Sequence, residues 1–96
     1  MNGAFDVSTI PHFDRLLKRL ASGHPREAPD VFAEALAILQ VDPYNRSRRH
    51  SIKKLESIRS GEGQYRLRLG RWRFRYDILA HTVVLTYCGL RREDTY

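Results

Sequence analysis

The sequence predicts an α+β fold in which an N-terminal strand and a helical hairpin pack on a twisted antiparallel sheet, in the order β-α-α-β-β-β. Three observations predict it. Two segments in the first half space their apolar residues at helical intervals, the period changes to a strict two after Gly63, and turn-forming residues fall between the periodic runs. The chain of 96 residues is long enough for one hydrophobic core and too short for two, so residues 1–96 are read as a single domain.

Ala4-Phe5-Asp6-Val7-Ser8 alternates and forms the first strand, and Ser8 or Thr9 then caps a helix that carries Pro11 in its first turn, where a missing N–H costs nothing. Phe13, Leu16, Leu17 and Leu20 fall at i, i+3, i+4 and i+7 with Asp14, Arg15, Lys18 and Arg19 facing out, and Gly23 with Pro25 ends this helix. After Pro29, the run Asp30 to Val41 sets Phe32, Ala35, Leu36 and Leu39 on one face of a second helix. Asp42-Pro43-Tyr44-Asn45 breaks it. Arg46 to His50 has no period and reads as a connection toward Ile52, Leu55 and Ile58, and Ser60-Gly61-Glu62-Gly63 is a turn.

Sheet follows. Tyr65, Leu67 and Leu69 alternate with Arg66 and Arg68, and Trp72, Phe74, Tyr76 and Ile78 alternate with Arg73, Arg75 and Asp77. A two-residue turn at Gly70-Arg71, with glycine supplying the positive φ of type II′, pairs Leu69 with Trp72, Arg68 with Arg73, Leu67 with Phe74 and Arg66 with Arg75. A second tight turn at Ala80-His81 pairs Ile78 with Val83 and Tyr76 with Leu85. One face then carries the core, and the other carries the charge. Continued unbroken, this register puts Cys88 on the arginine side, as a small strand residue and not a nucleophile.

The charge is unevenly placed. Of 17 basic residues 14 are arginine, and residues 44–75 hold 11 Lys/Arg against Glu56 and Glu62. Arginine suits planar, forked contact with phosphate. Like charges directly opposed across a strand pair destabilise it by a few tenths to about 1 kcal/mol, and an anion relieves that cost. No predicted helix presents base-reading residues on an exposed face, so single-stranded or folded RNA fits better than duplex DNA. Cys88 is the only cysteine, with no Cys or His at ligand spacing, so neither a disulfide nor a metal or other cofactor is expected. No run approaches the roughly 18 apolar residues of a membrane span, and Met1 to Ile10 lacks signal-peptide regions. The expectation is a cytoplasmic protein without membrane contact.

Lys54-Leu55, the run Gln-Tyr-Arg-Leu-Arg-Leu-Gly-Arg-Trp-Arg-Phe-Arg-Tyr-Asp-Ile (64–78) and the ending Val-Val-Leu-Thr-Tyr-Cys-Gly-Leu-Arg-Arg-Glu-Asp-Thr-Tyr (83–96) resemble the RelE/ParE toxins of bacterial type II toxin–antitoxin modules. Phe13 to Leu20 resembles the family's first helix, so the likeness covers nearly the whole chain. It implies the β-α-α-β-β-β fold already derived. It also implies, for a RelE-like member, a ribosome-dependent mRNA endonuclease (mRNA interferase) that cuts in the A site by attack of a 2′-hydroxyl on the adjacent phosphate, stopping translation and growth. Carried over by motif, the catalytic positions fall on Arg66 and Arg68, on Arg73, on Arg91 or Arg92, and on Tyr96. RelE has lysines at the first pair; guanidinium, with a pKa above about 12, is no proton donor.

Such a cluster can stabilise a pentavalent phosphorane. None of His12, His24, His50 or His81 falls in the arginine ladder. Tyr96, its phenol lowered by nearby arginines, is then the best general base, the alternative being that the ribosome supplies most of the rate by positioning. Arg46, Arg48, Arg49, Lys53, Lys54 and Arg75 are read as RNA or antitoxin contacts. The implied partners are a cognate antitoxin protein, the ribosome and mRNA, and the resemblance admits a higher-order toxin–antitoxin complex. Two other functions fit the same scaffold: a ParE-like toxin that inhibits DNA gyrase without cutting RNA, and an inactive RNA- or antitoxin-binding relative. Arg73 together with Tyr96 favours the nuclease, because the gyrase branch does not need that pair.

Overall fold

The computed structural model describes residues 4–91. Strand β1 (Asp6–Thr9) leads into helices α1 (Pro11–Gly23) and α2 (Glu27–Val41), followed by strands β2 (Ser51–Lys54), β3 (Tyr65–Leu69), β4 (Trp72–Leu79) and β5 (Thr82–Leu90). The five strands form one sheet in the order β1-β5-β4-β3-β2. The α+β class and the strand–hairpin–sheet order are as the sequence predicts. The sheet, however, is mixed: β1 lies parallel to β5, from Asp6↔Thr82 to Thr9↔Leu85, while all other neighbours are antiparallel.

Local chemistry moves three boundaries. Ser8 and Thr9 do not cap α1, because the backbone of both is held in the β1–β5 ladder; Ile10, extended at φ −107° and ψ 159°, is the capping residue, without a side-chain hydrogen bond. Helix α2 begins at Glu27, before Pro29 and not after it. Proline is tolerated in a first turn, whose N–H groups have no helical acceptor. Finally, the aperiodic stretch leads into β2, which pairs Ser51 with Arg68 and Lys54 with Tyr65. Four residues with one buried-side apolar group, Ile52, are too few to show a period.

Side chains organise the stretch before β2. The Asp42 carboxylate accepts hydrogen bonds from the Arg46 and Ser47 N–H groups (2.7 and 3.2 Å) and the Ser47 hydroxyl (2.6 Å). Asn45 exchanges two bonds with the His50 backbone. Burial pushes the Asp42 pKa up, but the bonds from Ser47 and Arg46 outweigh it and hold the carboxyl below its ordinary value.

The core fills one side of the sheet. Phe13 from α1 and Ala28, Ala35 and Leu39 from α2 pack on Leu67, Trp72, Phe74, Tyr76, Val83, Leu85 and Cys88, all buried. The aromatic residues of the ladder are therefore core, as their alternation predicts. The Tyr76 hydroxyl donates to the Pro43 carbonyl at 2.7 Å, and its ring stacks on Tyr65 with centroids 5.5 Å apart. Burial pushes the Tyr76 and Tyr65 phenols up, with further contributions from Tyr65 and Asp42 on the first and Tyr44 on the second, and burial raises the Cys88 thiol from 9.0 to about 11. All three groups favour the neutral form in the folded chain, so their contribution is complete below the unfolded pKa values and is lost as pH rises. The unfolding free energy read from urea titrations is expected to fall between about pH 9 and pH 11, by roughly 2 kcal/mol from Cys88 alone. A Tyr76→Phe, Cys88→Ala variant, less stable at pH 8, should show a flatter profile; an unchanged slope would refute the assignment.

Candidate nucleic-acid interface

The two hairpin turns form as the sequence predicts, with Gly70 at φ 60° and Ala80 at φ 55°. The β3–β4 register is the expected one, placing Arg66 opposite Arg75 and Arg68 opposite Arg73. Adding the flanking strands gives two rows across the face opposite the helices. One runs Lys53, Arg66, Arg75, Tyr87, and the other Ser51, Arg68, Arg73, Gly89.

The second half of β5 departs from simple alternation. Tyr76 pairs with Leu85 but Arg75 pairs with Tyr87, so Thr86 is an extra, bulged residue. Every side chain after it changes face. Cys88 therefore lies opposite Phe74, buried in the core, and not on the arginine side. Tyr87 takes the place on the arginine face, where it stays 40% exposed.

One end of that face is covered. Asp77, expected among the exposed charges, is buried, and its carboxylate accepts the backbone N–H groups of Gly61, Gly63 and Gln64, each at 3.0 Å. The turn is thereby folded down onto β4. Gly63, at φ 84°, lies so close that a β-carbon would stand 2.9 Å from that of Arg75. Arg75 donates from Nε and Nη2 to the Gly63 carbonyl at 3.1 and 3.0 Å. Its head group thus holds the turn in place, and this side chain is set apart from the other arginines of the ladder.

The other end is an arginine cluster. Burial first, then the charges of Arg68 and Arg73, lower the Arg66 pKa, and the buried Arg66 Nε has no hydrogen-bond partner among the described residues. The ion pairs in the described chain lie elsewhere, between Glu27 and Arg71 (2.9 Å), Glu27 and His24, and Asp42 and His50. A buried donor facing two like charges has an unmet need for an anionic acceptor. Arg66, Arg68 and Arg73 stand at neighbouring positions of the two rows, and forked guanidinium donors suit a phosphate acceptor.

The remaining candidates divide. Lys53 shares a row with Arg66, whereas Lys54 turns away, its ammonium 5.8 Å from the Tyr65 ring. Arg46, Arg48 and Arg49 are exposed in the connection before β2, Arg46 lying 5.2 Å over Tyr44. Arg91 is exposed and extends the β4–β5 pairing through its N–H to the Arg71 carbonyl at 2.7 Å. Arg92 and Tyr96 lie outside the described residues. Two side chains of this face escape the sequence reading, Asp77 as the anchor of the turn and Tyr87 beside the arginine rows. A signal for the second exists: the core positions of β5 change parity, from Val83 and Leu85 to Cys88 and Leu90, which requires a bulge between them.

No protein-family model matches the sequence, and no curated protein matches it. The structure is similar to a chain in the crystal structure of the archaeal RelE–RelB complex from Pyrococcus horikoshii OT3, with a TM-score of 0.64 over 94% of this chain and 98% of that chain, at 24% identity. The fold is RelE-like. On this RelE-like scaffold the exposed cationic face is the one turned away from the helical hairpin. Among the described residues, no helix is long and apolar enough to cross a membrane.

Proposed function

We propose that the chain is the toxin of a toxin–antitoxin module and acts as a ribosome-dependent mRNA endonuclease. The observation that carries this reading is the cluster of Arg66, Arg68 and Arg73, with its buried, unpartnered Arg66 Nε, on a RelE-like fold. The neighbouring structure is a complex with RelB, which supports a protein antitoxin as the partner here.

In the reaction, the 2′-oxygen attacks the adjacent phosphorus while the bond to the 5′-oxygen breaks, giving a 2′,3′-cyclic phosphate and a 5′-hydroxyl. The attacking oxygen loses a proton and the leaving oxygen gains one. Between these events the phosphorane carries extra negative charge. Arg66, Arg68 and Arg73 stabilise it, pre-ordered by the sheet and already stripped of part of their water. Guanidinium is no proton donor, so the three bind and orient but do not transfer protons. Tyr96 and one of Arg91 or Arg92 complete the proposed set, with Tyr96 as base. Lys53 extends the cationic row toward the flanking phosphates.

The test is to add purified protein to translating ribosomes carrying a defined mRNA and map new 5′ ends by primer extension, beside naked mRNA. Cleavage in the A site on ribosomes alone supports the proposal. A well-folded protein that leaves the mRNA intact would sink it, and a supercoiling assay with DNA gyrase would then test the ParE-like alternative.

A further inference from the structure

Among the described residues, Tyr87 is the large aromatic side chain that the β5 bulge brings onto the arginine face, and it reaches along the strand toward Gly89. Its ring runs along the strand over Gly89, so that a β-carbon at Gly89 would overlap the phenol oxygen and stand 2.9 Å from Cζ. Gly89 is opposite Arg73, and Tyr87 is opposite Arg75. Without a side chain at 89 the phenol end of the ring has room over the strand. The residue remains 40% exposed.

A half-exposed aromatic ring whose phenol end crosses Gly89, the register partner of Arg73, on the face that carries Arg66 and Arg68 matches one chemical pattern, a phosphate joined to a flat base. We infer that Tyr87 is a stacking platform for an unpaired nucleobase of single-stranded RNA whose neighbouring phosphate is held by Arg73 and Arg68. Stacking is tolerant of base identity, since every base has a π-face, and it uses the ring and not the hydroxyl. Gly89 is part of the device, because any β-carbon there would lift the ring. The inference rests on the RNA-directed reading above and deepens it by naming the residue that positions the base.

The test is a titration, at low ionic strength, of a short single-stranded RNA carrying one 2-aminopurine, whose emission is quenched on stacking. Wild-type protein should bind and quench. Tyr87→Ala should abolish the quench and weaken binding about tenfold, the usual worth of one aromatic–base stack, whereas Tyr87→Phe should restore both to within about twofold of wild type. Gly89→Ala should behave like Tyr87→Ala, and adding it to Tyr87→Ala should cause no further loss, since the nearest atoms that the new methyl meets all belong to that side chain. A quench unchanged in Tyr87→Ala overturns the inference, as does Tyr87→Phe failing like Tyr87→Ala, which would assign the work to the hydroxyl. Binding without a quench in wild type also overturns it and leaves Tyr87 as a contact for a protein partner. The same preparations in the ribosome assay separate the two claims: A-site cleavage with no effect of Tyr87 on stacking removes the platform alone, and stacking without cleavage removes the nuclease alone.

Discussion

Replacing Arg73 with alanine should lower the rate of A-site cleavage by about a hundredfold or more while leaving the chain as stable as before, or slightly more so. The two halves of this expectation come from the same geometry. Arg73 faces Arg68 directly across the hairpin, and after burial, the larger cause, the charges of Arg68 and Arg73 lower the Arg66 pKa. In the free protein it therefore contributes repulsion, and removing it should raise stability by a few tenths to about 1 kcal/mol. In the transition state the same charge meets a phosphorane in a partly desolvated setting. Arg73→Lys keeps the charge but loses the planar fork, so it should recover only part of the rate. Thermal melts and single-turnover cleavage on programmed ribosomes check both halves. A melting temperature that falls steeply would refute the assignment of Arg73 to the exposed face, and an unchanged rate would remove it from the site.

The largest loss of stability among polar substitutions is expected at Asp77. Alanine there leaves the N–H groups of Gly61, Gly63 and Gln64 without their acceptor in a turn that sits closely on Arg75 and Thr86 at Gly63. A destabilisation of about 3 kcal/mol follows from three bonds to a charged acceptor, even after partial rescue by water. For a chain of this size that is roughly 15 °C in melting temperature. Amide hydrogen exchange at 61, 63 and 64 should accelerate ahead of the core strands. If those amides remain as protected as β4, the turn is held by something other than the carboxylate.

These two residues mark how far the sequence could be read. Arg73 was legible because alternation with Trp72 and Phe74 fixes its face, and Gly70-Arg71 fixes the register by turn geometry alone. Asp77 obeyed the same alternation, yet its burial comes from a turn of chain 14 residues away that settles on it, a tertiary contact that no local pattern contains. The helices were legible from their apolar stripes, although α2 started earlier because its first turn accepts Pro29. Strand β2 was not, since four residues beside a loop ordered by Asp42 and Asn45 give no period to detect. At the bulge one residue reversed the faces of Tyr87 and Cys88. The parity of the core positions in β5 carried that information, but an unbroken register hid it.

The turn anchored by Asp77 sets the size of whatever the basic face can hold. Though 11 cations fall within residues 44–75, the ladder is only two rows deep and four strands wide, about 7 Å by 14 Å at ordinary strand spacings, and the turn takes the Arg75 place within it. That is the footprint of one or two nucleotides. The protein is accordingly shaped to pinch a single linkage and not to track along a chain, and its hold on free RNA should owe little to length. Selectivity for one position in a long message must come from whatever presents that linkage, already splayed, to a face too small to search for it.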